Sequence, residues 1–209
     1  MSSIKGIGYL SYQLYDFTLK LKLKMYYVIA DDIEKKISSI NLNFMDKGRV
    51  KREIDEYIND HELYQSELIH TTFLQLYSVL EEYLFHFGDK DTVKNGSGLN
   101  RFTRSLKTNE IKIDSVCWKI LQNCAQVRNA LLHANGRLDL LSDRKKFNQA
   151  ISKINESGDL IKVVKLWEDD NKHNRLSDLH GKNLPTPERI QLAEGFLKYF
   201  YDACNKLFK

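Results

Sequence analysis

The sequence predicts an all-α fold: a helical bundle with an N-terminal helical extension and at most one short strand or hairpin near residues 160–167. Glycine and proline, which most often interrupt helices, number 10 and 2 among the 209 residues. Apolar residues recur at intervals of three and four over long stretches, which is the period of an amphipathic helix. Because 42% of the residues are hydrophobic and 11% aromatic, the chain has the side chains that a packed core requires.

Two patterns compete in the N-terminal region. Apolar residues keep the helical period across residues 9–40 and predict one helix or two, but Leu19–Met25 alternates leucine and lysine as a strand would. We favour a helix there, because leucine and lysine are good helix formers and no turn residue follows. The break at Asp46–Gly48 then divides the chain into an N-terminal helical segment, 1–46, and a main helical domain, 47–209, which we expect to form one compact unit overall.

The main domain begins with the longest helical pattern, residues 50–87, which a polar and glycine-rich predicted loop follows at residues 88–98. The next predicted helix has Asp114 or Ser115 as its N-cap. It ends at Asn135-Gly136, because glycine is the usual residue just past a helix end.

Three further elements are predicted towards the C-terminus. The apolar pattern favours another helix over Leu138–Ile154, and the β-branched run Leu160–Trp167 predicts a short strand. Thr186-Pro187-Glu188 has the composition of a helix start, with threonine as the cap and proline in the first turn. We therefore expect the last helix to run from there to about Leu207.

The composition indicates which classes of protein this chain can belong to. The formal net charge of +4 and the pI of about 8.8 permit nucleic-acid binding without demanding it. Three cysteines, Cys117, Cys124 and Cys204, do not form a secreted disulfide framework, and no cysteine pair has metal-ligand spacing. Because we recognise no signal peptide and no apolar stretch long enough for a membrane span, we expect a cytoplasmic protein without membrane contact. We expect no metal and no cofactor.

One arginine–histidine pair stands out by its context. Four residues separate Arg128 from His133, and the polar residue Asn129 follows the arginine directly. The pair lies at the end of the predicted amphipathic helix, among apolar residues. A second pair with the same spacing, Arg175 and His180, lies in a polar stretch typical of a solvated loop, so we assign that match to chance.

The motif Arg128–His133 resembles the active-site motif of the HEPN ribonucleases, in which four to six residues separate an arginine from a histidine. The order of an upstream helix with aromatic and acidic residues, a loop and the motif helix is also similar to that family over residues 69–138. The resemblance implies a HEPN-like bundle and a metal-independent endoribonuclease with a composite site in a homodimer. It further implies a toxin or antiviral-defence effector that acts on cellular RNA and is often held in check by a partner protein.

The chemistry of metal-independent RNA cleavage explains why such a motif combines an arginine with a histidine. Cleavage by the 2′-OH of RNA needs a base for that proton, an acid for the leaving oxygen and a cation for the phosphate. Imidazole suits the proton transfers, and the guanidinium fork suits the phosphate, so His133, Arg128 and Asn129 are the candidate catalytic residues. One chain offers one histidine and one arginine in this motif, which is too few for three roles.

Structural roles compete with these assignments. His133 can satisfy a carbonyl at the helix end, and Arg128 can pair with Glu81 or with Glu82, which we consider as an orienting partner for Arg128. Basic residues that are candidates to guide RNA, or else belong to a solvated face, are Arg101, Arg104, Lys107 and Arg137. The alternatives to an enzyme are a non-catalytic HEPN-like module that binds a protein partner or a nucleotide, and a helical nucleic-acid-binding protein.

Overall fold

The structure is a computed structural model that describes residues 16–32, 35, 47–86, 98–165 and 188–208, with residues 47–64 described by their backbone alone. The described residues are mostly helical and include one two-stranded sheet. The prediction of a mainly α-helical fold is therefore confirmed at this level. None of the described helices combines the length and the apolar character that crossing a bilayer requires.

The chain forms two compact units, Met1–Leu121 with Leu197–Lys209, and Gln122–Phe196. The helices are α1 over residues 16–32, α2 over Lys47–His86, α3 over Asn100–Thr108, α4 over Ser115–Ala134, α5 over Arg144–Asn155 and α6 over Gly195–Lys206, with a 3-10 turn at Leu138–Leu140. Strands β1, Ile161–Lys165, and β2, Glu188–Leu192, lie between α5 and α6. Helices α4 and α6 each contribute residues to both units.

The first unit is organised around aromatic side chains of α2 and α6. The ring of Phe73 meets that of Phe200 edge-on with 5.1 Å between centroids, and Tyr77 stacks on Phe200 at 5.9 Å. All three side chains are almost fully buried. Large buried aromatic rings contribute much of the apolar area that a helical core removes from water, so this cluster fixes α6 against α2.

The second unit contains the two-stranded sheet. Strands β1 and β2 are antiparallel, with Ile161 opposite Leu192 and Val163 opposite Ile190. Asn155, the last residue of α5, accepts hydrogen bonds from the backbone N–H groups of Leu160 and Ile161 and donates to the carbonyl of Ile161. The side chain of Asn155 therefore holds the start of β1 at the end of α5.

Several predicted elements are confirmed. The described part of the N-terminal region is helical through Leu19–Met25, and the long helix α2 covers nearly the predicted residues 50–87. Asp114 caps α4, which ends before Asn135, and a strand occupies Ile161–Lys165. The predicted boundary at residue 46 and part of the predicted loop lie outside the described residues.

Two predictions near the C-terminus are wrong. Residues Leu138–Ile154 do not form one helix, because Asp143 starts a new one: its side chain accepts a hydrogen bond from the backbone N–H of Lys146, at 3.0 Å. Glu188 does not open the last helix, because Glu188–Leu192 is strand β2 and the helix begins at Gly195. Pairing with β1 buries Ile190 and Leu192 on one face of β2, and this tertiary gain overrides the local helix-start signal.

Candidate active site

Helix α4 carries the motif, and its first turn is held by Asp114. The Oδ1 atom of Asp114 accepts hydrogen bonds from the backbone N–H groups of Cys117, at 2.8 Å, and Val116, at 2.9 Å. These bonds satisfy two of the four N–H groups that every helix leaves without an internal partner. The N–H of Cys117 is the main reason that the pKa of the Asp114 carboxyl lies below its ordinary value.

The other end of α4 closes with a left-handed turn. Asn135 and Gly136 have φ angles of 47° and 75°, a region that asparagine and glycine tolerate best. The N–H of Gly136 donates to the carbonyl of Ala130 at 2.9 Å, and the N–H of Arg137 donates to that of Ala134 at 2.8 Å. The chain therefore turns sharply two residues after His133.

The three motif residues lie on the last two turns of α4. Arg128 and Asn129 are half-buried, whereas His133 is exposed. Arg128 and His133 are about 140° apart around the helix axis, but Asn129 and His133 are four residues apart and share a face. The Nη1 atom of Arg128 donates to Oδ1 of Asn129 at 3.1 Å. This bond draws the guanidinium towards the face that carries His133.

The opposite face of this segment is core. Val127, Ala130 and Leu131 are buried, and they anchor the helix in the second unit. Leu132, directly before His133, is 49% exposed although it is a large apolar side chain. An apolar side chain is therefore open to solvent beside the exposed imidazole.

Strand β2 contacts the end of α4 through an arginine that the sequence analysis missed. The Nε atom of Arg189 donates to the carbonyl of Asn135 at 2.9 Å, and the N–H of Ile190 donates to the carbonyl of Gly136 at 3.0 Å. The alternation of polar and apolar residues in Glu188–Leu192 was the sequence signal for a strand there. It was outweighed by the Thr-Pro-Glu signal for a helix start.

The predicted RNA-guiding residue Arg137 is also in the second unit. Its Nε and Nη2 atoms donate to the two carboxylate oxygens of Asp139, at 3.1 and 2.6 Å. Hydrogen bonding to Arg137 is the main reason that the pKa of Asp139 is lowered, and the same bond raises the pKa of Arg137. Arg137 thus lies three residues after the end of α4 in the sequence, and the Asp139 carboxylate holds its guanidinium.

The remaining predicted residues belong to the first unit. Glu82 is exposed on α2 and lines a shallow pocket together with Arg101, whose Nη2 atom bonds to Glu81 at 3.1 Å. Arg104 and Lys107 are exposed on α3. The pairing of Glu82 with Arg128, and the role of Arg101, Arg104 and Lys107 in guiding RNA, stay predictions.

The second arginine–histidine match, Arg175 and His180, lies outside the described residues. Within the residues that the structure describes, no three His, Cys, Asp or Glu side chains are grouped as metal ligands would be. No protein-family model, curated protein or solved structure matches this chain.

Proposed function

We propose that this protein is a metal-independent endoribonuclease of the HEPN type, active as a homodimer and employed as a toxin or antiviral-defence effector. The observation that carries the proposal is the arrangement on the last two turns of α4. The exposed His133 shares a helix face with Asn129, and Asn129 holds the guanidinium of Arg128 by a hydrogen bond of 3.1 Å.

Each motif residue has a role in cleavage by the 2′-OH of RNA. The His133 of one copy takes the proton from the 2′-OH, and the His133 of a second copy gives a proton to the leaving 5′-oxygen. Both transfers require the solvent and substrate access that an exposed side chain has. Arg128 binds the phosphate oxygens as negative charge develops on them. Asn129 orients the guanidinium and does not itself transfer a proton.

A second copy of the chain completes the proposed site. In-line attack places the 2′-OH and the leaving 5′-oxygen on opposite sides of the phosphorus, so one imidazole does not reach both, whereas two copies of the α4 end would bring two histidines and two arginines together. The half-exposed Leu132 beside His133 supports an interface at this position, because a second copy would remove its apolar surface from water.

The decisive experiment is RNA cleavage by the purified protein in the presence of EDTA. We expect single-stranded RNA to be cut to products that end in a 2′,3′-cyclic phosphate or its 3′-phosphate hydrolysis product. DNA of the same sequence should stay intact, because it lacks the 2′-OH. Absence of cleavage by a folded protein would contradict the proposal and favour a non-catalytic module that binds a partner or nucleotide, or a nucleic-acid-binding protein.

The dimer is tested separately with a matched pair of substitutions. Leu132→Asp should convert the dimer into a monomer in sedimentation and abolish cleavage, because it places a charge in the proposed interface. Leu140→Asp is the control, since Leu140 is 58% exposed in the same unit but lies outside the motif helix. A wild-type monomer at micromolar concentration, with specific activity independent of protein concentration, would contradict the composite site.

A further inference from the structure

The backbone just after His133 is hydrogen-bonded to a strand that lies far from it in sequence. Arg189 and Asn135 are separated by 54 residues, yet the Nε atom of Arg189 donates to the carbonyl of Asn135 at 2.9 Å. Asn135 is the second residue after His133 and the first of the left-handed turn. Strand β2 therefore binds the backbone at the point where α4 ends.

Two further contacts make this attachment specific. The N–H of Ile190 donates to the carbonyl of Gly136, and Arg137 pairs with Arg189 as an isolated antiparallel bridge. A Cβ atom on Gly136 would lie 3.2 Å from Cγ1 of Ile190 and 3.3 Å from Cγ of Arg189. The absence of a side chain at residue 136 thus allows β2 to approach the helix end closely.

We propose that Arg189 is a positioning residue for His133: it holds the last turn of α4 at the place where the imidazole meets the RNA. This inference rests on the proposed function. Proton transfer tolerates little displacement, and a shift of about 1 Å at a reacting group costs on the order of 10²-fold in rate. The Nε–H bond of Arg189 to Asn135 restrains that displacement, because the peptide it holds lies within two residues of His133.

The variants that test this role separate hydrogen bonding from charge and packing. Arg189→Met keeps an unbranched side chain beside Gly136 but removes the N–H donors. Arg189→Lys keeps a charged donor. Arg144→Met is the matched control, because Arg144 pairs with Glu188 on the same strand and its loss removes one charge without touching α4.

The first readout is steady-state RNA cleavage in EDTA, well below the melting temperature of each variant. We expect Arg189→Met to lower kcat by about 10- to 100-fold with KM changed less than twofold. Arg189→Lys should recover most of this loss, and Arg144→Met should stay within about threefold of wild type. The slope of RNA affinity against salt concentration should be the same in wild type and Arg189→Met. A positioning residue does not contact phosphate and therefore displaces no counterions from the RNA.

The second readout does not require activity. In protein labelled with ¹³C at histidine, the His133 imidazole signal, assigned by its loss in His133→Ala, should shift or broaden in Arg189→Met and not in Arg144→Met. If wild type cleaves no RNA but this signal responds as expected, the proposed function fails and the positioning role stands. Three outcomes would overturn the positioning role. In Arg189→Met, the His133 signal and kcat could both stay as in wild type, or the loss could be confined to KM with a shallower salt slope. In Arg189→Lys, kcat could fail to recover.

Discussion

The two ends of helix α4 are held by different combinations of local and long-range hydrogen bonds. At the first end, the side chain of Asp114 bonds to backbone N–H groups two and three residues further along the chain. At the other end, the carbonyls of Asn135 and Gly136 accept hydrogen bonds from Arg189 and Ile190, which come from a strand more than fifty residues away. The side-chain cap at the first end is local, although the N–H of Asp114 also donates to the carbonyl of Leu207 at 2.9 Å. The second end combines the local bonds of Gly136 and Arg137 with bonds from the distant strand β2.

The difference matters because the proposed catalytic residue lies at the second end. A local cap sets where a helix begins, but it cannot fix the helix relative to the rest of the site. Contacts from β2 give the last turn of α4 a defined position in the second unit. We therefore expect precision in the proposed site to depend on β2, whereas the Asp114 cap contributes to stability.

The largest expected effect is that of removing the motif side chains. His133→Ala should lower the rate of RNA cleavage by about 10²- to 10⁴-fold through loss of proton transfer, and Arg128→Ala by a similar factor through loss of phosphate stabilisation. The rate of RNA cleavage by Asn129→Ala should lie between the rates of these two variants and that of wild type. Initial rates on a labelled single-stranded RNA measure all three.

His86→Ala is the matched control for these variants. His86 is also an exposed histidine at the end of a helix, and the residue five positions before it is Glu81 instead of an arginine. The His86→Ala variant should cleave RNA at the wild-type rate, and so should His180→Ala. Full-rate cleavage by His133→Ala would refute the mechanism, as would an equal loss in His86→Ala.

The next largest effect is expected at the glycine that lets β2 approach. Gly136→Ala should destabilise the protein by roughly 2–4 kcal/mol, because a left-handed φ of 75° is strained and the new Cβ crowds Ile190. Gly98→Ala is the control: its φ is 54°, but no atom lies within 4 Å of the added Cβ. Gly98→Ala should lower the free energy of unfolding, measured by urea denaturation, by only about 1–2 kcal/mol. Equal losses in Gly136→Ala and Gly98→Ala would show that the contact between residue 136 and β2 contributes nothing to the effect.

The same contrast separates what the sequence could predict from what it could not. The Asp114 cap and the Asn135-Gly136 stop were predictable, because each depends on residues within one turn of the helix end. Strand β2 was not predicted, because Thr186-Pro187-Glu188 signals a helix start locally, while the strand forms through long-range pairing with β1 and with the end of α4. Helical spacing placed Arg128 and His133 on one helix, but no pattern within α4 could point to Arg189.

A smaller effect is expected on RNA binding. Asp139→Asn should strengthen binding of single-stranded RNA by roughly twofold to fivefold and steepen its salt dependence, because it releases the Arg137 guanidinium for a phosphate. Glu156→Gln removes one negative charge from the Lys153–Glu156 pair in the same unit and serves as the control. Equal strengthening in both variants, measured by fluorescence anisotropy, would assign the effect to net charge and not to Arg137.

The smallest effect is expected at the local cap. Asp114→Ala should lower the melting temperature by roughly 2–4 °C, whereas Asp114→Asn should stay close to wild type because asparagine also caps helices well. RNA cleavage per folded molecule should not change, since the cap lies about 28 Å along the helix from His133. A loss of cleavage comparable with that of Arg189→Met would remove the functional distinction between the two ends.

The pH dependence of that stability difference tests the cap itself. The folded pKa of Asp114 lies below its ordinary value of 3.8, mainly because the carboxylate accepts the N–H of Cys117. A carboxyl group with a lowered folded pKa stabilises the fold above its unfolded pKa, and this contribution disappears as the pH falls through the folded pKa. The difference in melting temperature between wild type and Asp114→Ala should therefore be constant near neutral pH and shrink below about pH 4. A difference that stays constant down to pH 2 would mean that the ionised carboxylate does not hold the first turn of α4.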